Sequence, residues 1–267
     1  MDGRDEDTGH VPVLLERVVE LLDPQPGDTV VDGTLGRGGH AAAVLPRIEG
    51  GRLIGVDLDR ENLAFAEARL RPIAERRGVE LTLTHGNFAG LRAVLNEAGV
   101  SGGDGLLVDL GFASNQVDDP ERGLSFMRDG PLDMRLDRQP GATSGGASGR
   151  DLVNTLPERE LADVIYRYGE ERLSRRIARR IVERRQTQPI ETTAELAELC
   201  RRAYGPAAAR SKVHPATRTF QALRIAVNGE LEALDALLRG LPGLMNPGGR
   251  AAVISFHSLE DRPVKQA

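Results

Sequence analysis

The sequence predicts an α/β fold, in which helices flank a parallel β-sheet and an all-helical domain is inserted into the chain. Three observations support this class. Short segments of β-branched and aliphatic residues alternate with amphipathic segments of helical spacing up to residue 109. Glycines crowd residues 33–39, directly after the first apolar segment. Between Asp151 and Tyr204 the pattern is purely helical, before a strand pattern returns at 250–256.

The elements before the insertion follow from hydrophobic periodicity. Apolar residues at helical spacing predict a first helix from His10 to Leu22, which Pro24 and Pro26 end. The next predicted elements are a strand at 29–31, a helix at 40–48, a strand at 52–57, a helix at 60–77, a strand at 80–84, a helix at 91–98 and a strand at 105–109. Alternation of this kind favours parallel strand pairing.

Residues 110–140 lack a regular pattern. They mix apolar and charged side chains, and we expect an ordered active-site loop there. Residues 139–149 are rich in glycine and serine and predict a flexible linker. A long helix at 214–240, a turn at 240–247 and a strand at 250–256 complete the chain. The predicted domains are therefore 1–135 with 214–267, which form the sheet domain, and 136–213, which form the inserted helical lobe.

Composition restricts the function. The chain has 267 residues, of which 40% are hydrophobic, and its net charge is −5. This charge argues against nucleic-acid binding by the whole surface, although it permits a local basic face. A single cysteine excludes a disulfide framework, and no histidine has acids or cysteines at metal-ligand spacing, so we predict no metal. The sequence contains neither a membrane-length apolar run nor a signal peptide, which predicts a cytoplasmic protein.

Acidic residues end three of the predicted strands. Asp32, Asp57 and Asp109 are expected along one edge of the sheet, where open α/β folds bind ligands. The glycines at 36, 38 and 39 let the backbone approach a ligand closely. Asp57 comes about 20 residues after this loop, where a carboxylate accepts hydrogen bonds from a ribose. Together these features predict a nucleotide-like cofactor.

Asp32 distinguishes between two such cofactors. The segment from Gly36 to Ala41 also fits the loose dinucleotide fingerprint, but a carboxylate at position 32 would repel a pyrophosphate. S-adenosylmethionine carries a sulfonium and an ammonium group and no phosphate, so an acid at this point favours it. A glycine turn that binds no ligand is the structural alternative.

Other candidates lie beyond the strand tips. Phe88 follows the third strand, where it would stack on an adenine or fill the core. Asp109, Asn115 and Gln116 are placed to accept an N–H of an acceptor amine, which aligns its lone pair for in-line methyl transfer. The alternative for all three is hydrogen bonding within the loop. His257 follows the last strand and is either a substrate contact or a structural histidine.

The segment from Glu171 to Arg185 is dense in arginine. After Glu171 its only acid is Glu183, and Ile177 and Ile181 supply an apolar face. A solvated helix face is the simple interpretation. The excess of positive charge equally predicts contact with the phosphates of a nucleic acid.

The chain resembles the RsmH/MraW family, the bacterial 16S rRNA (cytosine-N4)-methyltransferases. The resemblance runs from His10 nearly to the end and is carried by six segments: Asp32–His40, Asp118–Gly123, Phe126–Arg135, Tyr168–Arg172, His214–Ile225 and Ser255–Arg262. It implies a Rossmann-like S-adenosylmethionine-dependent methyltransferase fold with an inserted helical domain.

The resemblance also implies substrates and site residues. The methyl donor would be S-adenosylmethionine, and the acceptor a decoding-centre cytidine of 16S rRNA within the small subunit. An amine inside an RNA helix would first have to be exposed by unstacking or flipping. The implied cofactor residues are Gly38, Gly39, His40, Asp57, Phe88, Asp109 and Gln116, to which the residue pattern adds Asp32 and Gly36. Asp109 and Asn115 are the predicted catalytic residues, and a homodimer is left open.

Two departures from the family pattern qualify this expectation. Where the family usually reads Asp-Leu-Gly-Val-Ser-Ser-Pro-Gln, this chain has Phe112, Ala113 and Asn115 in place of valine, serine and proline. Members also continue beyond the position of Ala267. The alternative is therefore a catalytically impaired homologue that binds S-adenosylmethionine and RNA. A nicotinamide oxidoreductase is a third hypothesis, which predicts NAD binding.

Overall fold

The computed structural model describes residues 12–138 and 146–267. The predicted start of the first helix at His10 and most of the predicted linker at 139–149 lie outside the described residues. The chain divides into two compact units, one of residues 12–111 with Ala233–Ala267 and one of Phe112–Glu232. These divisions fall at 111/112 and 232/233, whereas the predicted domain boundaries at 135/136 and 213/214 stay a prediction.

The first unit contains a parallel five-stranded sheet, as predicted. Its strands are β1 (Thr29–Asp32), β2 (Arg52–Asp57), β3 (Glu80–His85), β4 (Gly103–Asp109) and β5 (Met245–Ile254). Their order across the sheet is β3-β2-β1-β4-β5. The strands β2 and β3 lie on one side of β1, and the later strands β4 and β5 lie on its other side. The strand order therefore reverses between β1 and β4, and the crevice for a ligand lies at the carboxyl ends of these two strands.

Twelve helices are described along the chain. They are α1 (Leu15–Leu22), α2 (Gly39–Val44), α3 (Arg60–Arg77), α4 (Leu91–Glu97), α5 (Ser114–Asp118), α6 (Gly149–Thr155), α7 (Glu158–Gly169), α8 (Ser174–Arg185), α9 (Thr193–Tyr204), α10 (Thr217–Asn228), α11 (Glu230–Leu244) and α12 (Ser258–Gln266). Within the described residues, none of these helices combines the length and the apolar character needed to cross a membrane.

Alternate residues of the central strands face opposite layers of the first unit. Val30 and Leu53 pack with α1, α2 and α3 on one face of the sheet. Val31 and Ile54 pack with α4 and α11 on the other face. The period-2 alternation of a strand thus buries both faces of the sheet, which explains why its central strands read as continuous apolar runs.

Two sequence predictions for the last quarter of the chain were wrong, and one helix was not predicted. The long helix predicted at 214–240 is two helices, separated by Gly229 in the left-handed conformation. The turn predicted at 240–247 is helical up to Leu244, because the apolar spacing of Leu234, Leu237 and Leu244 continues into the core past Pro242. Residues 258–266 form a helix that was not predicted.

The second unit is helical, with α7 packed against α8 and α10. Its irregular segment before residue 138 is fixed by Asn228, whose amide donates to the Met134 carbonyl at 2.8 Å and accepts from the Leu136 N–H at 2.9 Å. The segment is therefore ordered, as predicted, although it contains the short helix α5. Cys200, the single cysteine of the chain, is buried on α9.

Candidate active site

The glycine-rich loop connects β1 to α2 and needs glycine for two different reasons. Gly36 and Gly38 have φ values of +52° and +75°, a conformation that strains other residues. A Cβ on Gly38 would lie 2.9 Å from the Leu70 side chain, and one on Gly39 would lie 2.5 Å from Pro12. The loop is therefore held tightly against its own unit.

Asp57 fixes the loop from the neighbouring strand. One of its carboxylate oxygens accepts the Gly36 N–H at 2.7 Å, and the other accepts the Asp59 N–H at 2.8 Å. Burial raises the pKa of Asp57 above its ordinary value of 3.8, and these hydrogen bonds act in the opposite direction. One oxygen thus supports the glycine loop and the other supports the turn after β2, and the predicted contact of Asp57 with a ribose stays a prediction.

The structure places the three strand-terminal acids at one edge of the sheet. Asp32 is only 3% exposed at the tip of β1, between β2 and β4. Burial raises the pKa of Asp32 from 3.8 to about 7, and the negative charges of Asp109 and Asp57 add to the shift. A hydrogen bond from the Thr34 N–H opposes it. A cation placed among these groups would relieve their mutual repulsion.

Thr34 is a residue of this edge that sequence reasoning missed. Its backbone N–H donates to Asp32 Oδ1 at 3.1 Å, while its hydroxyl oxygen accepts the backbone N–H of Asp109 at 2.6 Å. It therefore joins the tips of β1 and β4. The signal available was a hydroxyl residue two positions after a strand-terminal acid, a spacing typical of a local side-chain-to-backbone turn.

His40 and Phe88 have clear structural roles. The His40 Nε2 lies 2.9 Å from the Val13 carbonyl, to which it donates, and burial lowers the pKa of the ring below 6.5. Phe88 is half-buried and packs against the core beside α4. A Cβ on Gly33 would lie 3.2 Å from the Phe88 Cβ, so Phe88 also borders the start of the glycine loop. Contact of either residue with a cofactor stays a prediction.

Asn115 and Gln116 lie on α5, in the second unit. Gln116 is buried, and its side-chain oxygen accepts the Ala113 N–H at 2.9 Å, which caps its own helix. The roles assigned to Asn115 and Gln116 from sequence stay predictions.

His257 Nε2 lies 3.2 Å from the buried Glu260 carboxylate in the first unit. Within the described residues, no group of three or more histidine, cysteine or acidic side chains is arranged to hold a metal ion.

A parallel sheet whose central strand ends in a glycine loop beside converging carboxylates is characteristic of α/β enzymes that bind a nucleoside-type cofactor. Comparison with known proteins identifies the kind of enzyme. The chain belongs to the MraW methylase family, whose model matches residues 7–267.

Individual relatives agree with this assignment. A ribosomal RNA small subunit methyltransferase H from a Geobacter species is 52% identical over 262 residues, which are 98% of this chain and 81% of that protein. The protein of the same name from Oleidesulfovibrio alaskensis is 49% identical over 269 residues, which are 100% of this chain and 80% of that protein. Among solved structures, an RNA methyltransferase from Salinibacter ruber in complex with S-adenosyl-L-homocysteine covers 49% of this chain and 84% of that chain, with 20% identity and a TM-score of 0.29.

Family membership confirms two predictions made from the sequence. The chain has the Rossmann-like methyltransferase fold. Its cofactor is the methyl donor S-adenosylmethionine and not a dinucleotide. The residues present fit this donor, because the sheet edge offers carboxylates to a cation. The charge of the three strand-terminal acids is thus opposite to that of the donor, and their contact with it stays a prediction.

Proposed function

We propose that this chain methylates the exocyclic N4 of a decoding-centre cytidine in 16S rRNA, within the small ribosomal subunit. The relatives that support this proposal are named small-subunit rRNA methyltransferases and are about half identical to the chain over almost its whole length. The observation in the molecule that carries it is the convergence of Asp32, Asp57 and Asp109 beside the glycine loop. Because its substrate is ribosomal, we infer that the enzyme works in the cytoplasm.

S-adenosylmethionine supplies a methyl group activated by its sulfonium charge. Asp32 is the residue that responds to this charge, because its buried carboxyl group has a pKa of about 7 and is only partly ionised near neutral pH. A positive group nearby favours the carboxylate form and lowers that pKa. Asp57 holds the loop in place through Gly36, so that the backbone around the donor is set before the donor binds.

Asp109 is proposed to accept a hydrogen bond from one N–H group of the target amine. Holding one amine hydrogen aims the nitrogen lone pair, which is the alignment that in-line displacement requires. The Thr34 hydroxyl fixes the backbone of Asp109 at 2.6 Å, so the carboxylate starts from a defined position. Asn115 is the second catalytic candidate, on the grounds of its sequence position alone.

The basic face of α8 is the proposed contact with the RNA backbone. Arg175 and Arg176 are exposed on its first turn, and Arg172 is exposed just before it. The preceding acid, Glu171, is 1% exposed, and its carboxylate accepts the Tyr204 hydroxyl at 2.7 Å and the Leu173 N–H at 2.8 Å. Its charge is therefore directed inward, while the arginines face the solvent and attract phosphates.

Methyl transfer to isolated small subunits tests the proposal. Subunits from a strain that lacks this mark are incubated with the chain and labelled S-adenosylmethionine, and the modified base is located by mass mapping of the 16S rRNA. We expect one methylated cytidine, modified at N4, and at least a 100-fold lower rate for Asp109→Ala (on the order of 3 kcal/mol or more of transition-state stabilisation).

Calorimetric binding separates the proposal from its alternative. Tight binding of S-adenosylmethionine without any transfer to subunits would support the catalytically impaired homologue instead. Sedimentation of the purified chain tests the predicted homodimer independently of either outcome.

A further inference from the structure

An aromatic side chain is exposed at the carboxyl end of β5. Phe256 has 58% of its surface exposed, although most apolar side chains of the sheet unit are buried. It follows Ile254, the last residue of β5, by two positions. A single exposed phenyl group is not unusual. A functional role for Phe256 depends on how its backbone is fixed and on which residues lie beside it.

A buried carboxylate fixes the backbone of Phe256. Glu260 is 3% exposed, and one of its oxygens accepts the Phe256 N–H at 2.9 Å. Its other oxygen lies 3.2 Å from His257 Nε2. The His257 carbonyl accepts the N–H groups of Glu260 and Asp261, both at 3.0 Å, which begins α12. Phe256 is thus presented from a rigid turn.

Phe256 lies beside the strand that ends in Asp109. In the register of the sheet, Asp109 pairs with Ile254, and the Leu110 N–H donates to the Ile254 carbonyl at 3.0 Å. A Cβ on Gly111 would lie 3.7 Å from Cδ2 of the Phe256 ring. Gly111 has a φ of +102°, which favours glycine, so the chain passes the ring without a side chain.

We propose that Phe256 is the surface on which the acceptor pyrimidine stacks, an inference that rests on the proposed function. A base taken out of an RNA helix loses its stacking partners, and enzymes that act on such bases replace them with aromatic side chains. Every base has a π-face, and its exocyclic groups lie in the ring plane. A pyrimidine stacked on Phe256 therefore keeps its amine free to approach Asp109.

Kinetics of Phe256 variants test this role. We expect Phe256→Ala to reduce kcat/KM for unmethylated small subunits roughly 10- to 100-fold, the range of one base–aromatic stack. Phe256→Tyr should stay within about threefold of the original chain, because it keeps the ring. The affinity for S-adenosylmethionine, measured by calorimetry, should be unchanged in both variants. Leu21→Ala, which removes another exposed apolar side chain of the same unit, is the matched control and should behave like the original chain.

A fluorescent base tests the stack without catalysis. A short RNA with pyrrolocytidine at the target position should lose fluorescence on binding the original chain and Phe256→Tyr, and keep it with Phe256→Ala. Equal quenching by Phe256→Ala, or equal kcat/KM, would overturn the stacking role. An original chain that quenches pyrrolocytidine but methylates no subunit would instead overturn the proposed function and leave the stack supported.

Discussion

Asp32 holds a carboxyl group at a point of the sheet edge that water barely reaches. Its pKa of about 7 means that the folded protein binds a proton there that the unfolded chain releases above pH 4. Ionising this group in the folded state costs about 4 kcal/mol relative to the unfolded chain. A cation bound beside Asp32 would offset this cost.

Replacing Asp32 by asparagine should remove this cost of ionisation. A carboxyl group with a raised folded pKa makes the protein less stable as pH rises from about 4 to about 7, after which the loss is complete. We expect Asp32→Asn to be about 2–4 kcal/mol more stable than the original chain at pH 8, with no gain at pH 4. Urea unfolding at several pH values measures the difference.

The difference in unfolding free energy between Asp32→Asn and the original chain reports on Asp32 alone, because the other titrating groups are common to both proteins. Burial lowers the pKa of His40, which decreases stability as pH falls below 6.5 in both proteins. A stability difference that does not change between pH 4 and pH 8 would contradict the assigned pKa. The Thr34 N–H can still donate to the asparagine oxygen, so the turn itself should persist.

The residues that carry charge at this site could be predicted, whereas those that orient it could not. A carboxylate at a strand tip is visible in the sequence, because strand patterns end at Asp32, Asp57 and Asp109. Thr34 and Glu260 act through hydrogen bonds to backbone atoms, 75 residues away for Thr34. The Thr34 pairing depends on how the strands align, and the Glu260 pairing depends on the conformation of the turn after β5; hydrophobic periodicity specifies neither.

At the scale of elements, the glycine loop contains positions that differ in their tolerance of a side chain. Gly38→Ala should lower the free energy of unfolding by about 2–4 kcal/mol, because it combines a left-handed φ with overlap against the buried Leu70. Gly36→Ala has the strained φ alone and should cost about 1 kcal/mol. Thermal unfolding of both variants checks the order, and a Gly36 variant that is less stable than the Gly38 variant would contradict it.

The arginines at the two ends of α8 differ in what they contact. Arg185 donates to the Val153 and Leu156 carbonyls at 2.7 Å, and Arg184 lies 3.3 Å from the Glu195 carboxylate, so the end of the helix supports its own unit. The exposed group at the start of the helix is the one proposed to meet phosphates. A helix face that is merely solvated is the alternative interpretation for these exposed arginines.

Removing the exposed charges should weaken RNA binding in a salt-dependent way. The triple variant Arg172→Gln, Arg175→Gln, Arg176→Gln should bind small subunits roughly tenfold less tightly and reduce the slope of log K against log salt concentration by about two to three. The control replaces Arg17, Arg77 and Arg239, which are exposed and ion-paired on the first unit, and should change neither quantity. An equal effect of both triple variants would indicate net charge rather than a specific face.

Element prediction succeeded where one periodicity dominates and failed where two signals compete. The first four strands lie within two residues of their predicted bounds, because burial of the central strands on both faces leaves few polar interruptions. The last strand was predicted at 250–256 but runs from Met245 to Ile254. The end of the helix through Pro242 was missed because Gly240, Pro242 and Gly243 are residues typical of turns, whereas the apolar spacing that ends at Leu244 continues the helix. At α12, Pro263 masked a helix whose Val264 packs into the core.

At the scale of the molecule, the net charge of −5 conceals an uneven distribution. The sheet edge of the first unit concentrates three acids, of which Asp32 is buried, while α8 of the second unit has six arginines and one acid. A whole-chain charge therefore describes neither the cofactor site nor the face proposed for RNA. The local sign of the charge suits the two proposed ligands separately, with acids for a cationic donor and arginines for an anionic acceptor.

This charge separation predicts which ligand stabilises the protein. S-adenosylmethionine at 100 times its Kd should add about 2.7 kcal/mol to the free energy of unfolding and raise Tm by roughly 5–10 °C. NAD at the same concentration should leave Tm unchanged, because its pyrophosphate would meet Asp32 and its neighbouring acids. Thermal unfolding with each ligand measures both effects. A shift with NAD that grows in Asp32→Ala would favour the nicotinamide hypothesis, whereas loss of the S-adenosylmethionine shift in that variant, with no gain for NAD, is the result that the buried carboxylate predicts.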